Sequence, residues 1–222
     1  MATERQRQKI IDAFMAELAD VGFEGVHLTH VAEKAGVTPA QLREAYDGRI
    51  AIVADFMRRI DKAVLEGIDK ELSEESGRER LFDCLMRRLD AMTPYREAVA
   101  SLRKSVRRDP ALALTLNGLL VTSMRWMMVA ADVDQPGLKG LVRAQGLGAV
   151  WVKAVDSWLK DEDPGLSATM VEVDKGLRRG ERWLGCADRA ASFLTDCACR
   201  MKKTRRRKAE EPDPAMAAGE GI

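Results

Sequence analysis

The sequence has few aromatic residues, few histidines and no surplus of charge of either sign. Its 222 residues include two tyrosines, four tryptophans and five phenylalanines. There are 36 basic and 35 acidic residues. Net charge therefore indicates neither a nucleic-acid nor a membrane partner. The two histidines are His27 and His30, and the chain has no glycine-rich phosphate loop, metalloprotease motif or nucleophile elbow. We expect a protein that is not an enzyme.

The four cysteines form no Cys-x-x-Cys pair. Cys197 and Cys199 would lie on nearly opposite sides of a helix, so the spacing predicts reduced thiols, with no metal site and no cofactor. The N-terminus is charged from its fourth residue and lacks the apolar segment of a signal peptide. The most apolar run, residues 116–133, contains Asn117 and Arg125 and is shorter than the ~20 residues of a membrane span. These features predict a soluble, cytoplasmic protein.

Apolar residues recur at helical spacing along almost the whole chain, which predicts an all-α fold. A first helix is expected to end at Gly22, a second to cover about Leu28 to Ala35, and a third to begin near Thr38 and end near Asp47. A stripe from Val53 to Leu72 predicts a fourth helix of about six turns. Further helices are expected at about residues 76–94, 95–107, 110–131, 138–160, 163–184 and 187–203.

The helix after Ser76 begins with a capping-box pattern, Ser76 followed by Glu79. Its stripe is formed by Leu81, Leu85, Arg88 and Leu89. The predicted architecture is an N-terminal helix-turn-helix module, residues 1–50, fused to a helical ligand-binding and dimerisation domain, residues 51–203, with a disordered tail at residues 204–222. The boundary falls on the long fourth helix, without a flexible linker.

The second and third predicted helices are joined by a tight turn at Gly36, which is typical of a helix-turn-helix. The third helix would present its exposed face to a DNA groove. Gln41 is suited to reading adenine, Arg43 to guanine or phosphate, and Thr38 to phosphate. The full predicted DNA-contacting set is Thr29, Thr38, Pro39, Ala40, Gln41, Arg43, Tyr46 and Arg49.

These residues resemble the TetR family of bacterial transcriptional regulators over about the first quarter of the chain. The resemblance is carried by Gly22-Phe23, Val31-Ala32, the run Ala35-Gly36-Val37-Thr38, and Leu42. Tyr46 stands where the family usually has phenylalanine, and Arg49 where it usually has lysine. The resemblance implies a homodimer that binds a double-stranded DNA operator, usually as a repressor.

Several positions depart from the family's pattern. Arg43 stands where the family commonly has tyrosine, Glu44 places a carboxylate beside it, and Gly48 replaces the usual cap of the fourth helix, with Asp47 as a substitute cap. Residues 1–50 contain six basic and eight acidic residues, whereas DNA-binding modules are usually basic. Two interpretations remain open: a DNA-binding module whose bases are locally placed, and a module retained for its fold.

The remaining helices would form the second domain, where methionines suit an apolar or lipid-like effector. The predicted ligand-binding residues are Met86, Met124, Met127 and Trp151. The alternative is that they are ordinary core. Residues 151–183 also resemble TetR-fold lipid-binding proteins of ubiquinone biosynthesis, which implies a second possibility, lipid binding without an operator.

Two copies are expected to join through helices 164–184 and 187–201, with Leu166, Met170, Val173, Leu177, Trp183, Phe193 and Leu194 in the seam. The run from Arg200 to Lys208 carries seven basic residues. It predicts a solvated tail, or alternatively contact with the DNA backbone or an anionic membrane surface.

Overall fold

The computed structural model describes residues 3–68 and 74–182, and within these ranges the chain is helical and contains no strand. The all-α prediction is therefore confirmed for them. The helices are α1 (Glu4–Gly25), α2 (Leu28–Ala35), α3 (Pro39–Ala45), α4 (Arg49–Glu66), α5 (Gly77–Met92), α6 (Arg96–Val106), α7 (Pro110–Ala130) and α8 (Gly137–Trp158), with a 3₁₀ turn, Thr93–Tyr95, before α6. Residues 167–182 are also helical.

The first three helices begin and end where their local chemistry dictates. Thr3 and Gln6 form a reciprocal capping box at the start of α1. Gly22 takes a φ of 77° and breaks that helix, but one more turn follows to Gly25, so the predicted stop is a kink rather than an end. Gly36 ends α2 with a left-handed φ of 68°, which glycine adopts without steric cost.

Helix α4 is shorter than its apolar stripe predicted. It ends at Glu66, and the N–H of Gly67 closes its last turn on the carbonyls of Ala63 and Val64. The predicted continuation to Leu72 runs into residues 69–73, outside the described residues. Helix α4 packs against α1, α5 and α7, so it connects the N-terminal helices with the rest of the first unit.

Helix α7 is 21 residues long, and among the described helices it is the one with the length and apolar composition of a membrane span. The expectation that its apolar run is too short for a span is therefore wrong. The helix packs against α4, α5, α6 and α8, and Met124 and Met127 are fully buried there. The inner side of α7 thus contributes to the core of the first unit, whereas Leu114, Trp126 and Val129 are exposed.

The chain divides into two compact units, residues 1–178 and residues 179–222. Within the first, Val173 and Leu177 are buried, and a Cβ on Gly176 would come within 2.6 Å of Val150 in α8. Those two residues are thus packed inside their own chain, and the structure differs there from the predicted dimer seam. Trp183, Phe193, Leu194, the helix predicted at 187–203 and the tail at 204–222 lie outside the described residues. The boundary at residue 50 stays a prediction.

Candidate nucleic-acid interface and a buried charge cluster

Helices α2 and α3 form a helix-turn-helix whose inner face is apolar. The residues that join it to α1 and α4 are small or branched, and they are buried: Val31, Ala32, Ala35, Leu42 and Ala45. Thr38 caps α3, with its hydroxyl accepting the N–H of Gln41, and Pro39 occupies the first helical position. Because these apolar side chains pack into the interior, the polar side chains of α3 are left on its outer face.

That outer face carries most of the predicted DNA-contacting residues. Thr38, Pro39, Ala40, Gln41 and Arg43 are all exposed. Thr29, on α2, is exposed as well. The structure thus leaves these six side chains accessible, while Tyr46 and Arg49 are engaged with the protein itself.

Gln41 has a structural role that its spacing alone did not predict. Its Oε1 accepts the backbone N–H of Thr38 at 2.8 Å and completes a capping box. Bidentate recognition of adenine requires that same oxygen to accept a hydrogen bond from the base. In this conformation Gln41 offers its amide N–H₂ group as a donor, and full readout of adenine requires the cap to open.

Arg43 is exposed but holds a local partner. Its Nη1 donates to Asp47 Oδ1 at 2.5 Å, and the two side chains are 70% and 89% exposed. Asp47 does not cap α4, because Gly48 stands at that cap without a side-chain hydrogen bond. A phosphate reached by Arg43 would therefore compete with Asp47, and Glu44 exposes a further carboxylate on the same helix.

Arg49 braces the module from inside. Its Nη1 donates to the carbonyl oxygens of Phe23 at 2.6 Å and Glu24 at 3.1 Å, and its guanidinium lies 4.9 Å from the centre of the Phe23 ring. These contacts join the start of α4 to the end of α1. In this conformation Arg49 ties the start of α4 to the end of α1, and its Nη1 donates to the protein and not to DNA.

Tyr46 is buried, with only 7% of its surface exposed. Its hydroxyl donates to Asp55 Oδ2 at 2.5 Å, and Arg7 stacks 5.0 Å from the centre of its ring. Burial, then the hydrogen bond to Asp55, raise the pKa of Tyr46 to about 12. The prediction that Tyr46 contacts DNA does not fit this geometry, in which it ties the end of α3 to α4.

A second tie joins α1 to α2. The Glu17 carboxylate is buried and accepts hydrogen bonds from Lys34 Nζ at 2.6 Å and, on its other oxygen, from His30 Nδ1 at 3.3 Å when that nitrogen carries a proton. The hydrogen bond from Lys34 lowers the pKa of Glu17 by more than burial raises it. One of the acidic residues counted against DNA binding, Glu17, is thus turned inward.

Helix α6 contacts the same corner of the module that Arg49 braces. Ser105 Oγ accepts the N–H of Phe23 at 3.1 Å and donates to Glu24 Oε2 at 3.0 Å. Two residues earlier on α6, Arg103 makes a two-pronged ion pair with Asp156 of α8, at 2.9 Å to each oxygen. The helix-turn-helix is therefore connected through α6 to the helices of the proposed ligand domain.

The four predicted ligand-binding residues belong to the core of the first unit or pack against it, and their role in binding stays a prediction. Met124, Met127 and Trp151 are buried, whereas Met86 is only partly buried. Met86 lies two positions before Arg88 on α5, a spacing that directs side chains to opposite sides of a helix.

Sequence reasoning missed Arg88 as a candidate site residue. Its side chain is buried beside Trp151, with the guanidinium 5.0 Å from the centre of that ring, and it pairs with Asp61 of α4. Ser123 of α7 donates to the same aspartate at 2.7 Å. The signal was present in the sequence, since an arginine in register with apolar Leu81, Leu85 and Leu89 indicates a buried charge.

The described residues contain no cluster of three or more side chains that could hold a metal ion. Cys84, the cysteine that falls within them, is a free and buried thiol, and burial raises its pKa to about 11. A thiol with a raised pKa is a poor nucleophile at neutral pH.

No family model and no curated protein matches the chain. Solved structures do match. A TetR transcriptional regulator from Nitrosomonas europaea ATCC 19718 has a TM-score of 0.62 at 18% identity, covering 79% of this chain and 97% of that one. A putative TetR-family regulator from Rhodococcus sp. has a TM-score of 0.55 at 22% identity, covering 77% and 96%. FadR from Bacillus subtilis, solved with stearoyl-CoA, has 0.54 at 16% identity, covering 78% and 98%. The chain therefore has the fold of TetR-family transcriptional regulators.

Proposed function

We propose that the protein is a cytoplasmic, DNA-binding transcriptional regulator that acts as a homodimeric repressor and responds to a small effector. The fold supports this proposal, because the solved structures that share it are described as regulators. One short helix reads only a few base pairs, so a two-fold pair is needed to bind a palindromic operator. The ligand in the FadR structure supports a small-molecule effector here.

The observation that carries the proposal is the outer face of α3. The N-cap Thr38 and four residues of α3 are exposed on a helix whose N-terminus is capped: Pro39, Ala40, Gln41 and Arg43. The anchors are buried side chains of its opposite face, Leu42, Ala45 and Tyr46. A helix held this way presents polar side chains at a fixed angle, as entry into a major groove requires.

The excess of acidic residues in the N-terminal module is a weaker argument against DNA binding when the positions of the side chains are considered. Glu17, one of the eight acidic residues of the module, is buried and paired with Lys34. Arg5 and Lys9 are exposed one turn apart on α1, so they lie on the same side of that helix. Local placement of cations can hold phosphates even where the net charge of a module is slightly negative.

The test selects bound fragments from genomic DNA with the full-length protein and then measures affinity for the best fragment at several salt concentrations. Arg43→Ala should weaken that specific complex by about 1–3 kcal/mol, because Arg43 is the exposed arginine of α3. Arg178→Ala is a matched control, since Arg178 is also exposed and also pairs with an aspartate four residues away, Asp174.

The control variant should bind like the wild type. If the wild type selects no sequence at low salt, the regulator proposal is overturned. Equal losses in both variants would assign the effect of Arg43 to general charge, and α3 would not be the reading helix.

A further inference from the structure

Arg88 is buried in the core of the first unit. Only 1% of its surface is exposed, and it pairs with Asp61, whose second partner is Ser123. One N–H of the guanidinium is not satisfied: its Nε–H has no acceptor among the described residues. Burial lowers the pKa of Arg88 to about 9, so the group is still cationic at neutral pH.

Such a cluster is hard to explain as a device for stability. Replacing a buried ion pair by apolar side chains of similar volume is often neutral or stabilising. An orphaned donor in a dry interior costs a further ~1–3 kcal/mol. Its aromatic neighbour Trp151 needs no charge to pack, because it is apolar and buried. An oxygen brought in by a ligand would remove the cost of the orphaned donor.

The unsatisfied edge also selects the charge of that ligand. Asp61 already has a cation and a hydroxyl group, whereas Arg88 retains an N–H that seeks an acceptor. A guanidinium offers paired N–H groups with the spacing of a carboxylate. A dianion such as a phosphate monoester would bring a second charge without a second buried cation, which favours a monoanionic head group.

We propose that Arg88 is the head-group site for the effector, an amphipathic carboxylic acid whose apolar body lies among Met124, Met127 and Trp151. Methionine side chains are unbranched and flexible, so they can rearrange around an apolar chain. The carboxylate binds the Nε edge of Arg88 and competes with Asp61 for the guanidinium. The consequence for DNA rests on the proposed function, whereas binding of the acid does not.

Competition between the ligand and Asp61 for Arg88 would couple the site to DNA binding. Asp61 lies on α4, the helix whose first residue, Arg49, braces the end of α1. When a ligand takes part of the guanidinium, the link between α4 and α5 weakens. The acid should therefore lower the affinity for the operator.

The experiment uses the full-length chain and two probes with the same apolar tail, dodecanoate and 1-dodecanol, below the concentration at which either aggregates. Melting temperature and tryptophan fluorescence report binding without any DNA. Dodecanoate should bind saturably and raise the melting temperature, and dodecanol should bind roughly tenfold or more weakly because it lacks the charge.

The variants separate a binding arginine from a structural one. Arg88→Met should abolish the preference for the acid, and Arg87→Met is the matched control, because Arg87 is the neighbouring arginine of α5 and pairs with Asp83 near the surface. If Arg88→Met does not fold, the variant Asp61→Asn tests the proposal instead. Removing the competing carboxylate should tighten dodecanoate binding several-fold. A purely structural pair would lose stability in Asp61→Asn without gaining affinity.

The proposal is overturned if the wild type binds neither dodecanoate nor its C8 and C16 homologues, or if it binds dodecanol equally well. Unchanged affinity in Asp61→Asn would also overturn it. Operator binding is measured separately on the selected fragment. If the protein binds the acid but no DNA, the proposed acid site stands and the proposed regulator function is overturned. If it binds DNA but no acid, the regulator function stands and the acid site is overturned.

Discussion

Asp55 and Asp61 lie on the same helix, α4, and are buried to almost the same degree, yet they have very different surroundings. Asp55 accepts a hydrogen bond from Tyr46 and pairs with Arg58, a side chain that is 73% exposed. Arg7 and Arg59 approach it at 3.7 Å. Asp61 has one cation, Arg88, and one hydroxyl group in the apolar interior.

The difference shows how one chemical group can serve two purposes. Around Asp55 there are three arginines, and the most exposed of them, Arg58, can turn to water when the carboxylate is lost. Around Asp61 the single cation is enclosed and has nowhere to turn. Asp55 therefore positions α3 with respect to α4. Asp61 instead neutralises the buried guanidinium of Arg88, and the fold does not need a charge at that position.

The largest expected effect comes from breaking the enclosed pair. Asp61→Ala should lower the free energy of unfolding by about 3–5 kcal/mol, because Arg88 is left buried without a counter-ion. The measurement is urea unfolding followed by circular dichroism. In the double variant Asp61→Leu with Arg88→Met, most of that loss should be regained. A double variant as unstable as the single one would contradict this account of the pair.

Sequence patterns predicted the parts of this comparison that depend on local chemistry. The capping box at Ser76 and Glu79 and the left-handed turn at Gly36 were read from residues within a few positions of each other. The partners of Arg49 are 25 and 26 residues away, and those of Asp61 are 27 and 62 residues away. No local pattern encodes such distant pairings.

The same limit explains the residues that were assigned the wrong surroundings. Tyr46 matches a family position in the sequence, but its hydroxyl is taken up by Asp55, nine residues on, once α3 and α4 pack. Val173 and Leu177 have the spacing of an apolar stripe, and periodicity cannot tell whether a stripe packs on its own chain or on a second copy.

An intermediate effect is expected from breaking the more open cluster. Asp55→Asn should lower the free energy of unfolding by about 1–3 kcal/mol at pH 7, since Tyr46 and three arginines lose a charged acceptor. Burial would raise the pKa of Asp55, but Tyr46 and then Arg58 outweigh it and hold the pKa below its usual range.

The sign of the pH dependence follows from that lowered pKa. The stability that Asp55 contributes is fully present above its unfolded pKa, about 3.9, and is lost as the pH falls through the lower folded value. Wild type and Asp55→Asn should therefore converge in stability in strongly acidic solution, as measured by thermal unfolding from pH 6 to pH 2. A difference that stayed constant across this range would rule out the charge of Asp55 as its source.

The smallest effect on stability is expected where an aspartate is paired in full contact with water. Asp47→Asn should change the free energy of unfolding by less than about 0.5 kcal/mol, since Asp47 and Arg43 are both exposed and Asp47 caps no helix. Affinity for the operator should instead rise by up to about tenfold, because Arg43 is released toward phosphate and a carboxylate is removed from the interface. Titration of wild type and variant on one selected fragment at two salt concentrations measures this. A fall in affinity would mean that Asp47 holds Arg43 in its reading position and does not compete for it.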